Sequence, residues 1–521
     1  MNLLASAFTA PQIAWASLIP IIIVLGGAVV GVLIEAFAPA KTRRALVIGV
    51  ALLTTLAAGA VLATRWLAVV DSPASLGEYI EDPLALAAQF VLVVIAFLAV
   101  LVAADRTEVG DGAFAGQPSD RPGSADEDLS DAKGYQRSEI FPLMLFSLGG
   151  MMLFPAADSY ILLFVALEVM SLPLYILAAT ARRRRQLSQE AGLKYFILGA
   201  FASGFLLMGS ALLYGFSGSL TISKLASALP NTTGMDWLAL IGVLMVMVGL
   251  LFKVGAAPFH AWTPDVYTGA PTPITGFMAA AVKVAAFAAM LRFYEGVAAI
   301  LQWDLVPVLI GVAVLTMLVG TFTGIVQTDV KRMLAFSSIA HAGFILIGVF
   351  SVAKLSTGHV LFYVLAYGLA TVGAFGVVSL VRSANAEGVA GGEATALERW
   401  AGLGRKNPLM AASMLVFLLS FAGIPLTAGF VGKFLVFSDG FAGGFGWLAA
   451  LALACSAVTA FYYFRLVRLM FFTEAAENTL VVKSEGLSYL AVLVCAAATI
   501  LLGALPGPVL SILSQVVILL P

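Results

Sequence analysis

Charge is what this chain lacks most. Asp, Glu, Lys and Arg make up 11% of its 521 residues, where a soluble domain carries roughly 25%. Hydrophobic residues make up 61%, which excludes a water-filled surface and marks an integral membrane protein. A net charge of −1 offers no electrostatic footprint for nucleic acid. The two cysteines, Cys455 and Cys495, both lie in apolar runs, so neither a disulfide framework nor a thiolate metal site is supported. The sequence also lacks a phosphate loop, a haem or iron–sulfur ligand cluster and a nucleophile elbow. No cofactor or redox centre is therefore expected in this chain. The first residues, MNLLASAFTAPQ, have no basic stretch and no cleavage site, so the apolar run that follows reads as a retained span.

What is present is a series of long apolar runs. A 30 Å hydrocarbon core needs about 20 helical residues, and fourteen such spans fit the chain. They lie near 15–37, 45–70, 83–104, 139–156, 159–180, 191–215, 237–268, 271–294, 304–326, 333–352, 358–382, 408–437, 445–470 and 487–519. The runs lack the two-residue alternation of barrel strands, so an all-α polytopic fold is expected. With spans alternating in direction, 20 of the 28 Lys and Arg fall on one side and 4 on the other. The positive-inside rule then puts the basic side in the cytoplasm and both termini on the outer face. Arg182 to Arg185 fit a purely topogenic role in this scheme. Residues 105–138 are rich in Gly, Pro, Ser and Asp, which predicts a disordered polar cytoplasmic loop. In 383–407, Leu397, Trp400 and Leu403 are expected along one face of an interfacial helix.

Five ionisable residues interrupt these apolar runs: Glu168, Lys194, Lys253, Lys283 and Lys433. Such a group at the bilayer centre costs about 3 kcal/mol or more, and those that persist line wet pathways or pair with one another. Glu168 and Lys194 stand on consecutive antiparallel spans and are expected to meet, either as working groups or as a static ion pair. Lys253 precedes Gly255 and Pro258, which should break the helix just past the lysine. Desolvation disfavours an ammonium and a nearby carboxylate favours it, so a lysine beside a break changes protonation as its partner moves. Lys283 sits near mid-span among alanines. Lys433 follows Gly423, Pro425 and Gly429, which signal a second break. His341 lies near Ser337 and Ser338 and is either a proton relay or a hydrogen-bonded structural group. His260 is expected to be structural, and His359 draws no assignment.

Spans four to eight and nine to thirteen form two sets of five. An odd number per set inverts the second relative to the first, and spans seven and twelve then correspond, both interrupted. Paired broken helices in inverted repeats point to a transport site. The expected organisation is 1–138, three spans and the polar loop; 139–294, the first repeat; 304–470, the inverted repeat; and 471–521, a final span.

The stretches LEVMSLPLYIL, EAGLKYFILGA, LFKVGAAPFHAWTPDVYTGAPTPITGF, DVKRMLAFSSIAHAGF and FAGIPLTAGFVGKF resemble the antiporter-like membrane subunits of respiratory complex I. They are similar also to subunits of multisubunit cation/proton antiporters. The resemblance spans about 139–470. Within the family the subunit N branch is the most similar, because Lys433 is a lysine and no long lateral helix follows span fourteen. The resemblance implies Glu168 and Lys253 as a working pair and Lys283 as the central connecting lysine. It places Lys433 near proton exit, with Lys194 and His341 as auxiliary groups. It further implies proton translocation driven by quinone reduction in partner subunits, within an NADH-quinone oxidoreductase of a bacterial cell membrane. The other membrane subunits and the lipid bilayer are the expected partners. NAD, FMN, iron–sulfur clusters and quinone are expected in those partners. The alternative is a subunit of a sodium/proton antiporter complex.

Overall fold

The computed structural model describes residues 14–70, 73–106, 112–116, 121, 124–132, 139–182, 184–229, 234, 236–351, 356–384, 390–474, 479–481 and 484–519. The helices among them are α1 (Trp15–Phe37), α2 (Ala40–Val69), α3 (Pro83–Ala104), α4 (Ala125–Ala132), α5 (Ile140–Leu153), α6 (Tyr160–Ala178) and α7 (Arg185–Ser217). There follow α8 (Ile222–Ala228), α9 (Asp236–Val254), α10 (Trp262–Gly269), α11 (Thr272–Ile325), α12 (Val330–Phe350) and α13 (Ser356–Leu380). The last are α14 (Leu403–Lys406), α15 (Pro408–Ala422), α16 (Ala428–Ala442), α17 (Gly446–Phe472), α18 (Leu487–Ala504) and α19 (Gly507–Leu513). Twelve segments of the described chain are long and apolar enough to cross a membrane, and two shorter apolar helices, Ile140–Ala156 and Pro408–Ala422, bring the crossings to fourteen.

Short polar side chains set where several helices start. Asp82, Ser159, Asp329 and Asn407 each accept a hydrogen bond from the amide three residues on, at 2.9, 3.0, 3.0 and 3.1 Å. This satisfies one of the amides that a helix start leaves without a partner. The continuous helical run of α11 hides a reversal at Leu301 (φ −99°, ψ 15°). Lys283 and Thr316 both bond the 254–257 segment, although a straight helix would hold them roughly 50 Å apart. The chain therefore turns back near Leu301, and α11 supplies spans eight and nine.

The first half of α11, α12 and α13 form the core column and are buried on nearly every side. Both halves of α11 pack on α12, and α7 with α9, α5 with α6, and α1 with α2 pair around them. Apolar side chains of α1, α2, α7 and α18 face outward, including Phe201 and Leu501. That is the pattern of a protein whose outer shell meets lipid or apolar neighbours.

The two ends of the bundle differ. One end gathers Arg44 with Glu485, Arg332 with Asp265, and Lys331 near Glu393. A three-stranded antiparallel sheet lies there, with β3 (Val381–Ala384) between β4 (Ala390–Glu393) and β5 (Thr479–Val481). The hairpin of β1 (Ala74–Leu76) and β2 (Tyr79–Glu81) closes the other end. There Arg292, 1% exposed, pairs with Asp82 at 2.7 Å and donates to the carbonyls of Pro155 and Leu519. Asp82 also accepts from the Leu519 amide.

Two expectations for the loops are corrected. Leu397–Trp400 is a 3-10 turn, and Leu397, Trp400 and Leu403 are buried instead of lying in a membrane interface. The Trp400 indole donates to the Ala394 carbonyl at 2.7 Å, so the ring plugs the basic end from within. Within 105–138, residues 112–116 are ordered: Ala115 donates to Thr180 and Arg182 to Ala113, a bridge that buries Phe114. An apolar Phe at its centre is what the polar composition concealed.

Breaking one side of a buried ion pair leaves an uncompensated charge, typically at a cost of about 3–5 kcal/mol. Asp82→Asn should therefore lower the thermal midpoint of the detergent-solubilised protein, and the paired change Asp82→Leu with Arg292→Met should recover a large part of the loss.

Candidate functional site

Two helices stop midway, and they stop in the same way. The α9 helix ends at Val254, and Gly255 takes φ +74°. Its amide donates to Phe252, and that of Ala256 reaches back to Leu251. The α15 helix ends at Ala422, and Gly423 takes φ +81°. Its amide donates to Leu419 and Ser420, and that of Ile424 reaches back to Leu419. Both are the glycine-terminated Schellman closure, in which the left-handed residue must be free of a side chain. The chain then resumes as α10 and α16. In each set of five spans the broken member is the fourth, and the two run in opposite directions. The breaks fall where the lysine-and-glycine pattern of the sequence puts them.

Such a break strands carbonyl groups inside the protein, at the negative end of a helix dipole. Ammonium groups take them. Lys283, 2% exposed, donates to the Val254 carbonyl at 3.1 Å and to the Ser338 carbonyl at 2.5 Å. Lys433, 4% exposed, donates to Phe421 at 2.7 Å, Ala422 at 3.2 Å and the Ser456 hydroxyl at 2.7 Å. Lys283 thus ties the first break to α12, and Lys433 ties the second to α17.

Lys253, in the last turn of α9, turns to α6 instead. It donates to the Ser171 hydroxyl at 2.8 Å and the Tyr175 hydroxyl at 3.3 Å. The rings of Tyr175, Tyr195 and Phe252 stand 5.4–5.6 Å from its nitrogen. Those π faces help hold a desolvated cation. Glu168, Ser171 and Tyr175 are spaced to share one face of α6. Glu168 is partly exposed and has no cation within 4 Å among the described residues; it lies on α6 one turn before Ser171, the hydroxyl that Lys253 contacts. The implied Glu168–Lys253 pair is therefore not a direct ion pair here.

Lys194 is also placed differently from the expectation. It is 40% exposed and pairs with Glu190 at 2.6 Å and Asp265 at 2.7 Å, and Asp265 also holds Arg332. Its long side chain runs along α7 to reach α10, away from Glu168. Lys194 and Glu168 do not meet.

His341 occupies the ground between Lys283 and Lys433 on α12, 2% exposed. Its Nδ1 stands 2.9 Å from the Tyr363 hydroxyl and its Nε2 3.5 Å from that of Tyr463. Tyr463 also bonds Ser337, and the Tyr267 hydroxyl lies 3.4 Å from that of Ser338. The Tyr367 ring stands 5.4 Å from the Lys283 nitrogen and packs against the His341 imidazole. The result is one internal line of polar groups through Lys253, Lys283, His341 and Lys433. The buried tyrosines are the members that sequence reasoning missed. Tyr363 and Tyr367, one turn apart in LFYVLAYGLA, were the available signal.

A family model described as NADH:quinone oxidoreductase/Mrp antiporter, TM matches residues 157–459. A relative from Beutenbergia cavernae named NADH-quinone oxidoreductase subunit N is 53% identical, over 98% of this chain and 98% of its own. One from Streptomyces griseus named NADH-quinone oxidoreductase subunit N 3 is 48% identical, over 98% of this chain and 95% of its own. Among solved structures, respiratory complex I from Thermus thermophilus with bound aureothin contains a chain with a TM-score of 0.76 and 33% identity, covering 96% of this chain and 100% of that one. A chain of the Mrp complex from Dietzia sp. has a TM-score of 0.79 at 19% identity, covering 96% of this chain and 97% of its own, a likeness of fold alone.

The second break depends on a close approach: a Cβ on Gly429 would stand 2.0 Å from the Ser420 carbonyl oxygen, whereas one on Gly311 would meet nothing within 4 Å. Gly429→Ala should cost about 1–3 kcal/mol through forced separation of α15 from α16. Gly311→Ala should leave the thermal midpoint in detergent unchanged.

Proposed function

The chain belongs to the NADH:quinone oxidoreductase/Mrp antiporter transmembrane family, and from that premise we propose the route by which it works. It is a proton-translocating membrane subunit of an NADH-quinone oxidoreductase, of the subunit N kind. The observation that carries the route is the line of buried lysines and His341 joining the two helix breaks.

In this reading Lys253 receives a proton, with Glu168 tuning its charge through space. The proton passes to Lys283, held by the end of α9, and then to His341 with its tyrosine hydroxyls, beside Lys433 at the second break. Lys194, with Asp265 and Arg332, gathers charge at the basic end ahead of Lys253. Moving one charge against 100 mV takes about 2.3 kcal/mol. The energy comes from quinone reduction in partner subunits, which also house NAD, FMN and the iron–sulfur clusters. The partners are the other membrane subunits of the same complex. The first repeat, 139–294, takes up the proton and the inverted repeat, 304–470, releases it. Residues 1–138 and 471–521 flank the two. The basic end faces the cytoplasm of a bacterium and the chain termini face the outside, a placement supported by the 20-to-4 distribution of Lys and Arg.

The family description also covers Mrp antiporters, and a subunit of a sodium/proton antiporter complex is the other reading. Identities of 53% and 48% to chains named as oxidoreductase subunits favour the first.

Lys253→Met and Lys283→Met should each lower proton pumping and coupled quinone reduction by about 100-fold, the lower end for loss of one proton-transfer group. The measurement is made on the assembled complex in membrane vesicles. Full pumping by both variants in a normally assembled complex would sink the assignment. Sodium-driven transport without flavin and iron–sulfur subunits would transfer it to the antiporter reading.

A further inference from the structure

His359 and Asp439 form an ion-pair geometry that the route above leaves unused. His359 Nδ1 stands 2.8 and 3.0 Å from the two carboxylate oxygens of Asp439. The side chains are 17% and 7% exposed. His359 lies in the first described turn of α13 and Asp439 in the last turn of α16, so the pair closes the end of the bundle opposite the basic one. Asp439 lies about 9 Å beyond Lys433 along α16.

Tyr363 lies one turn further along α13, on the interior side of this pair. Its hydroxyl bonds His341 Nδ1 at 2.9 Å. Tyr363 is one turn after His359 on α13, and helical side chains lean toward the N-terminus, so its ring reaches back along the face that carries His359. The approach of α16 is tight at this level: a Cβ on Gly432 would stand 3.1 Å from Tyr363. The charged or titratable groups around His359 among the described residues are Asp439 from α16, Tyr363 from its own helix and, beyond Tyr363, His341 from α12. Neighbouring α19 packs beside Gly358 through the Leu513 carbonyl.

We propose that His359 and Asp439 form the outlet relay through which a proton leaves the buried line, with Tyr363 as the link. This rests on the proton-translocating reading above. The His359 Nδ1–H donates to Asp439, which leaves Nε2 as the acceptor. A proton on His341 Nδ1 passes to the Tyr363 oxygen as the phenol releases its own proton outward to His359 Nε2 through one water. The phenol regains its starting form and His341 is left neutral. His359 becomes an imidazolium held by the Asp439 carboxylate, then returns to neutral as Nε2 gives its proton to outside water. The dipoles of α13 and α16 disfavour a cation and an anion at these two helix ends, so each charge depends on the other.

The test uses the whole complex in proteoliposomes, with pH on the outlet side varied across the histidine range, about 5.5 to 7.5. His359→Gln and Asp439→Asn should each lower coupled pumping about 100-fold and flatten its response to outlet pH. Asp439→Glu should keep most of the activity and the response. Wild-type pumping and pH response in a normally assembled His359→Gln complex would overturn the relay. So would failure of both His359→Gln and Asp439→Asn to assemble, since the pair would then be structural. If the unmodified complex moves no protons, the proton-translocating reading fails and the relay falls with it.

Discussion

Everything in this protein turns on carbonyl groups that helix ends leave without amide partners, in a medium with no water to satisfy them. A helix end in hydrocarbon costs several kcal/mol per unsatisfied group, so each internal end needs a donor. Lys283 and Lys433 are those donors at the two breaks. The same chemistry recurs at the basic end. Lys331 donates to Ala270 beyond α10, Arg43 to Ala38 beyond α1, and Arg465 to Ile325 at the close of α11. A cation at a helix C-terminus is favoured by the dipole as well as by the hydrogen bond. Part of the basic bias along this edge thus closes helices as well as setting direction.

Holding an ammonium with carbonyl dipoles has a different outcome from holding it with a carboxylate. A direct ion pair fixes a proton strongly and leaves a buried anion when the pair parts. Carbonyls at a helix end are neutral, and their grip depends on the angle between two half-helices. On the proposed route, a small shift at Gly255 or Gly423 would change how well Lys283 or Lys433 holds its proton. By linkage, a change of protonation biases the shift in return. The interruption and the lysine are two parts of one element.

The spans, the breaks and the buried lysines were legible because each has a strong local cause: an apolar run, a Gly–Pro pair, a charge where charge is costly. Partnerships were less legible. Glu168 and Lys194 sit on neighbouring spans, yet Glu190, one turn before Lys194, and Asp265 on α10 supply the nearer carboxylates. Lys253 finds hydroxyl groups that look like ordinary core residues in sequence. Tyr175, Tyr363 and Tyr463 are hidden for the same reason, since an aromatic in an apolar run usually only packs. The strands Val381–Ala384 and Ala390–Glu393 are too short to betray a period, and Trp400 looked like an interfacial anchor until its burial was visible.

The cluster of Asp82, Pro155, Arg292 and Leu519 joins four segments drawn from almost the whole length of the chain. Its consequence is kinetic. Helices that enter the bilayer one after another pair mostly with sequence neighbours, but this cluster joins residues as far as 437 positions apart, and such long-range closures come late. Until the segment around Leu519 arrives, Asp82 and Arg292 lack two of their hydrogen bonds. The bundle is left ajar at one end while its charged core is already threaded. Closure of that end is thus a natural checkpoint between an inserted chain and a finished one.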